Sequence, residues 1–393
     1  MFDISMDART YKYRLYPSGE QKVRIINSLK TCKAIYNELL ALSIDAYKFG
    51  GVSISSFDFN KYLTGKYPKV HSQSKQNVSD RVHKAFANFF RRVKDPKVHK
   101  KGFPRFKSRV NSITFPQSGF KFISNKVSCS KIGNIPVILH RVPKGKIKTL
   151  TIKENKIGQW FAIFACELPD VAVKHPSTDK VGIDVGLENF ATLSNGEIVA
   201  NPRYLLKTEK RLNLLQRRLS RKVKGSANRR KAKFRLAKQH LRVANQRSDF
   251  LHKLSRKLAS RYNIIAVEDL NVKSMLQTHW LAKSITDASW NSFINMLSYK
   301  EVALGGQCLK NPRTRGSTHR CSRCGQWVDM PLSERKFSCP KCFNVLHRDL
   351  NASINHLNDT VGTDCSKPNA CGHNVRPSLR AVVVEAGTTF GNT

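Results

Sequence analysis

Acidic side chains are scarce in this chain. Its 393 residues carry 27 Asp and Glu against 70 Lys and Arg, a formal net charge of +43. Internal ion pairing cannot neutralise so one-sided a surface. The working state therefore needs a polyanion, and nucleic acid is the expected one. Long apolar runs are missing too. No stretch approaches the length that spans a bilayer, and residues 1–10 hold no apolar core of a secretory signal. A long basic amphipathic helix with a Trp, Phe and Leu face is also absent, which disfavours a membrane surface as the polyanion. The expected setting is the cytoplasm, in association with the nucleoid. A disulfide framework is lacking: Cys32, Cys129, Cys166, Cys308, Cys365 and Cys371 show no paired spacing. Apolar residues make up 40 %, enough for real cores, and the length suits two or three domains.

What is present begins with an alternating segment, Thr10 to Pro17, in which aromatic or apolar residues alternate with Lys12 and Arg14. That period predicts a strand. Ser18 caps a helix from Gly19, with Val23, Ile26, Leu29 and Ile35 at helical spacing. A second helix is expected from Ser74 to Lys94. Val78, Val82, Ala85, Phe86, Phe89 and Phe90 form one face, and Lys75, Gln76, Asn77 and Arg81 the other. From Gly102 to Asp170, short β runs separated by Gly, Asn and Pro turns suggest a small barrel that the opening strand joins. Arg105 and Lys107 lie in the basic-aromatic connection leading into it and, with Lys12 and Arg14, are candidate nucleic-acid contacts.

After a linker near Lys174 to Lys180 come a strand, Val181 to Asp184, and a hairpin turning at Ser194 to Gly196. The stretch from Lys207 to Arg261 then holds twenty Lys and Arg against two acids, Glu209 and Asp249. Leucines from Leu212 to Leu258 supply a stripe, and Gly225-Ser226 breaks the stretch into two antiparallel helices. Such an excess suits a phosphate backbone, with Arg217, Arg218 and Arg221 as candidate contacts.

Three acids sit where a site can form. Asp184 and Glu268 end apolar strands, and Asp349 opens a helical pattern. Strand alternation turns Asp269 away and favours Glu268. Three converging acids can hold two Mg²⁺ ions, a device for activating water and stabilising the leaving 3′ oxygen of a phosphodiester. Between the last two acids lie Cys321, Cys324, Cys339 and Cys342, two CxxC knuckles fourteen residues apart. That spacing is just short of the usual interval, and the pattern is that of a structural four-thiolate Zn²⁺ ribbon. Arg320, Arg323, Arg335 and Lys336 around it could meet nucleic acid.

Together these segments resemble the TnpB (OrfB) family of insertion-sequence proteins, relatives of the type V CRISPR effector nucleases. The resemblance is carried by residues 11–17, Phe103 to Lys107, Gly182 to Leu187, Val267 to Asn271, Asp287 to Trp290, the two knuckles, and Arg348 to Ala352. It implies an α/β fold with an RNase H-like RuvC nuclease core, an N-terminal wedge β-barrel, an inserted helical recognition domain and a zinc ribbon. The corresponding ranges are 1–20 with 102–175 for the wedge, 21–101 for recognition, 176–300 with 344–358 for the nuclease, 301–343 for the ribbon, and a flexible tail over 359–393. The resemblance also implies a guide RNA from the transposon end, a double-stranded DNA target with a short adjacent motif, and catalysis by Asp184, Glu268 and Asp349. Gln76 and Asn77 would read adenine edges of that motif, with Lys75 and Arg81 on phosphates. Two positions depart from the family pattern: His347 where many relatives carry Asp, and Phe343 where they carry Gly. A catalytically silent, RNA-guided regulator and an accessory transposition protein remain as alternatives. A second metal site at Cys365, Cys371 and His373 is the lesser reading of the tail.

Overall fold

The computed structural model describes residues 8–96, 98–99, 101–168, 173–311, 316–331, 333–361 and 384–386. The tail residues Cys365, Cys371 and His373 lie outside them. The chain divides into two compact units, Met1–Asp170 with Val382–Thr393, and Val171–Ala381.

The first unit pairs a sheet with helices. Strand β1 (Ala8–Leu15) leads into α1 (Gly19–Gly50), α2 (Ser56–Tyr62) and α3 (Ser72–Lys94). Ser18 accepts from the Gln21 N–H while the Gln21 side chain accepts from the Ser18 N–H, so the first turn of α1 is capped reciprocally. Strands β2 (Ser112–Pro116), β3 (Phe120–Ile123), β4 (Lys126–Cys129), β5 (Gly133–Ile138), β6 (Lys146–Glu154) and β7 (Trp160–Glu167) follow. The sheet order β2-β6-β7-β1-β5-β4-β3 makes a nearly closed barrel with β1 in its middle. A further strand, β15 (Val384–Ala386), pairs in parallel with β1. Alternation sends Tyr11, Tyr13 and Leu15 into the core beside Trp160, Ala162 and Phe164. Along α1 the buried line is Ile25, Leu29, Cys32, Ile35 and Tyr36, whereas Val23 and Ile26 are exposed. The expected stripe therefore mixed two faces of that helix.

The second unit is built on a mixed sheet. It comprises β8 (Lys180–Val185), β9 (Asn189–Leu193), β10 (Ile198–Ala200), β11 (Ile264–Val267) and β12 (Gln307–Lys310), in the order β10-β9-β8-β11-β12. The β8–β11 and β11–β12 pairs are parallel, and the β8–β9 and β9–β10 pairs antiparallel. Between β10 and β11 run the basic helices α4 (Tyr204–Ser220) and α5 (Ala227–Arg261), packed on each other. Helices α6 (Val272–Met275), α7 (His279–Ala288) and α8 (Trp290–Leu304) connect β11 to β12. Asp287 accepts from the Leu205 N–H at 2.9 Å and from Arg247 at 2.7 Å, tying α7 to α4 and α5. A ribbon with the short strands β13 (Lys336–Ser338) and β14 (Val345–His347) leads into α9 (Arg348–Val361). That helix continues through residues 359–361, expected to open the tail, because Asp359 is held by Arg320 and the Thr360 hydroxyl donates to the His356 carbonyl.

Candidate active site and metal centres

Strand register builds the acid site. In the parallel β8–β11 pair, Gly182 faces Ala266 and Ile183 faces Val267. Val181, Ile183, Ile265 and Val267 enter the core with Leu254, Leu258 and Phe293. Alternation therefore puts Gly182 and Asp184 on the opposite face, in line with Ala266 and Glu268. Helix α9 packs against β8, β9 and β11. It comes so near that a Cβ on Gly182 would lie 1.9 Å from the Ser353 carbonyl oxygen, so only glycine fits.

The approach of α9 delivers a residue that the sequence reading did not single out. Ligand-type atoms of Asp184, Glu268 and His356 all lie within 4.8 Å of one another. His356 is fully buried, and its Nε2 stands 3.6 Å from Asp184 Oδ1. Burial pushes the Asp184 carboxyl above its ordinary range, opposed by the neighbouring His356 and reinforced by the charge of Asp349. Burial also raises Glu268, with His356 working against it and Asp184 and Asp269 adding to it. Asp269 instead meets Lys310 at 2.5 Å.

Asp349 stands outside that group. Its carboxylate faces Arg348 at 3.8 Å, Arg335 at 3.9 Å and His347 at 4.0 Å. Like charges repel, and the first turn of α9 together with the guanidinium groups of Arg348 and Arg335 gives Asp349 a separate source of neutralisation. The signal for His356 was available: it follows Asp349 by seven residues, two helical turns, and so shares its face of α9. Two carboxylates held in apolar surroundings, with a third coupled to them by charge, form an oxygen-rich donor set. That set suits a hard divalent cation such as Mg²⁺.

The four cysteines converge as well. Sγ atoms of Cys321 and Cys342 are 3.6 Å apart, those of Cys324 and Cys339 3.5 Å, and all four lie within 4.8 Å. A tetrahedron around Zn²⁺ at ordinary Zn–S distance has edges of roughly 3.8 Å, so the thiols fit. Each knuckle closes the same way. The Gly325 N–H donates to the Cys321 carbonyl at 2.9 Å, and the Phe343 N–H to the Cys339 carbonyl at 3.0 Å. Both turn residues are left-handed, Gly325 at φ 77° and Phe343 at φ 57°. Burial pushes the Cys321 thiol up, but N–H donors at Cys324 and Arg323 and bonds from the Cys342 and Cys324 side chains more than reverse this, to about 6. That favours the thiolate a metal requires. Amides on α9 grip the first knuckle: Asn351 Nδ2 donates to the Arg320 carbonyl, and Asn355 Nδ2 to the carbonyls of Ser317 and Arg320, each at 2.7 Å.

The candidate nucleic-acid contacts divide by how they are engaged. In the first unit Arg81 donates to Thr114 Oγ1 at 2.8 Å and to the Ser112 carbonyl at 3.4 Å, while Lys75 donates to the Lys66 carbonyl at 2.6 Å. Lys12 lies over the Phe161 ring at 4.3 Å, Arg14 over the same ring at 5.2 Å, and Lys107 over Tyr36 at 3.8 Å. The Asn77 side-chain oxygen is buried without a hydrogen bond, while Gln76 and Arg105 are exposed. In the second unit Arg217, Arg218 and Arg221 are all exposed.

The OrfB_IS605 family model, described as a probable transposase, matches residues 163–279. A model described as Cas12f1-like, TNB domain, matches 290–356, the ribbon and most of α9. One described as a helix-turn-helix domain matches 6–51, where the structure has β1 and the single long α1. A protein of Streptomyces pristinaespiralis named putative RNA-guided DNA endonuclease is 32 % identical over 385 residues, 94 % of this chain and 92 % of that protein. Putative RNA-guided DNA endonuclease InsQ of Escherichia coli K12 is 29 % identical over 377 residues, 89 % of this chain and 91 % of InsQ. A solved Cas12f1–sgRNA–target DNA complex shares the fold at a TM-score of 0.54 and 14 % identity, over 86 % of this chain and 82 % of that one. The insertion-sequence class is thus set by matches that run nearly end to end. The chain belongs to the TnpB (OrfB) family.

Proposed function

We propose that this protein is a transposon-associated, RNA-guided DNA endonuclease whose second unit is a RuvC-like, RNase H-type nuclease core. One observation carries the reading. Parallel pairing of β8 with β11 sets Asp184 beside Glu268 at adjacent strand ends, with α9 packed against both strands and Asp349 coupled by charge to Asp184. The near full-length relatives named RNA-guided DNA endonucleases support it. Asp184, Glu268 and Asp349 would hold two Mg²⁺ ions. When bound, these supply an activated water and charge stabilisation at the leaving 3′ oxygen of the cut strand. The protein's own part is to fix the carboxylates in register and to keep their surroundings apolar. The exposed arginines of α4 lie along the backbone of an RNA–DNA heteroduplex and leave sequence choice to base pairing. Gln76, the exposed amide of α3, reads a base edge of the target-adjacent motif. The four thiolates hold one structural Zn²⁺.

The test is to copurify the protein with RNA expressed from its own locus, reprogram that RNA, and challenge a plasmid library in Mg²⁺. Cutting at a fixed flanking motif, lost in Asp184→Ala with target binding retained, is the expected result. Guided binding without cutting by the wild type would make it a regulator. Joined transposon ends formed by the protein alone would make it a transposase.

A further inference from the structure

We propose that His356 is a positioning residue for Asp184, held in one tautomer by a relay of side chains that begins at the first thiol knuckle. The proposal rests on the reading of Asp184 as a cation-holding carboxylate.

The tautomer follows from the partners. Asn311, itself buried at the end of β12, places Nδ2 3.0 Å from His356 Nδ1 and 3.3 Å from Asp359 Oδ2. A carboxylate oxygen accepts, so the amide nitrogen, not its oxygen, must face it. The same nitrogen then donates to His356 Nδ1, and the imidazole proton resides on Nε2. That N–H points toward Asp184 Oδ1. Asp359 is fixed in turn by Arg320 at 2.5 Å, the residue before Cys321. The Arg320 carbonyl is clamped by Asn351 and Asn355 of α9. The Asn311 N–H donates to the Val267 carbonyl at 2.8 Å, one residue before Glu268. Every link is therefore tied to an element that also shapes the acid site.

The arrangement decides what His356 does. An N–H that approaches one Asp184 oxygen to 3.6 Å favours one carboxylate rotamer and leaves the other oxygen for a cation. His356 is not itself a ligand. Ligation needs the Nε2 lone pair, which would move the proton to Nδ1 and set it against the Asn311 N–H. The ring is itself fully buried, with its Nδ1 held by Asn311. Directed hydrogen bonds thus run from the thiol cluster as far as His356, and the last step to Asp184 is an approach of 3.6 Å.

The experiment uses the full chain with its copurified RNA. Fe²⁺ replaces Mg²⁺, and peroxide-driven cleavage of the polypeptide next to the bound ion reports occupancy without any DNA cutting. His356→Leu, which keeps bulk but donates nothing, is expected to require roughly tenfold more Fe²⁺ for equal cleavage near Asp184. It should raise the Mg²⁺ concentration for half-maximal DNA cutting by a similar factor, with target binding unchanged. His356→Gln, which retains an N–H donor, should recover part of both. Arg320→Met should shift Fe²⁺ demand in the same direction by a smaller factor. Wild-type Fe²⁺ demand in both His356 variants would overturn the proposal. So would a Gln variant that fares as badly as Leu, because that pattern marks a ligand. If the wild type cuts no DNA, the endonuclease reading fails, while the polypeptide cleavage still decides the role of His356. If Leu does not fold, Gln and Arg320→Met carry the same decision.

Discussion

The thiol cluster and the acid site lie in the same unit but are assembled by opposite means. The four cysteines come from one short stretch and close through two copies of a single turn. Asp184, Glu268 and His356 come from two strands and a helix far apart in the chain, brought together by sheet register and one glycine contact. A local cluster of thiols would depend on a bound metal for cohesion, since four cysteines and Phe337 with Met330 are nearly all the core it has. The acid site stands on a large core and spends that rigidity on holding carboxylates in apolar surroundings. Damage to the first should loosen structure locally, and damage to the second should change chemistry while structure persists.

The strongest way to break that contrast is Asp184→Ala. Guided cutting should fall by a thousandfold or more, a loss of at least about 4 kcal/mol in transition-state stabilisation. The melting temperature should stay level or rise, because a buried carboxyl with a raised pKa is removed. A large drop in melting temperature would show that the acids are structural. Cys324→Ser should do the reverse first: metal analysis should find most of the zinc gone, and limited proteolysis should open the segment 316–347 before the rest of the chain. Uniform resistance to protease would mean that the thiols do not organise the ribbon. Gly182→Ala lies between the two cases, since α9 must back away from β8. A cost of roughly 3 kcal/mol and loss of Fe²⁺-directed cleavage near Asp184 are expected together. Stability lost without loss of the site would separate helix packing from site geometry.

Glu301 sharpens the comparison from the other side, as an acid buried with no cluster. It is fully buried, neither carboxylate oxygen makes a hydrogen bond, and burial pushes its pKa up to about 9. Below its unfolded pKa the group is neutral in both states and costs nothing through ionisation. As pH rises toward 9 the unfolded chain releases the proton and the native chain keeps it, so stability falls. The loss at pH 7 is up to about 3 kcal/mol. Glu301→Met should flatten the dependence of chemical-denaturation midpoints on pH between 5 and 9. An unchanged slope would assign the pH dependence elsewhere. The smallest effect belongs to Phe343→Gly: removing Cβ strain from a left-handed turn should gain about 1 kcal/mol with zinc content unchanged.

Legibility in the sequence tracked distance along the chain. The knuckles could be read because their ligands are neighbours. The left-handed turn demanded of Phe343 was foreseeable from the absence of glycine there. Asp184 and Glu268 were readable as acids that end apolar strands, and Glu268 over Asp269 followed from alternation. His356 was missed although it shares a helical face with Asp349, because nothing local says that this face meets β8. The same gap explains Arg81. A basic residue on an exposed-looking helical face suggested a phosphate contact, but its guanidinium joins α3 to β2 through Thr114.

The middle position of β1 in the first sheet has a bearing on biosynthesis. β1 pairs along its whole length with β7, from Ala8 opposite Glu167 to Leu15 opposite Trp160, and at its end with β5. β1 must therefore wait for residues made more than a hundred codons later. Helices α1 to α3 can form meanwhile from local contacts, but Tyr11, Tyr13 and Leu15 remain an unpaired apolar edge throughout. A translational pause placed before residue 160 would lengthen that exposure and lower the yield of soluble chain, whereas one placed after β7 has cleared the ribosome would not.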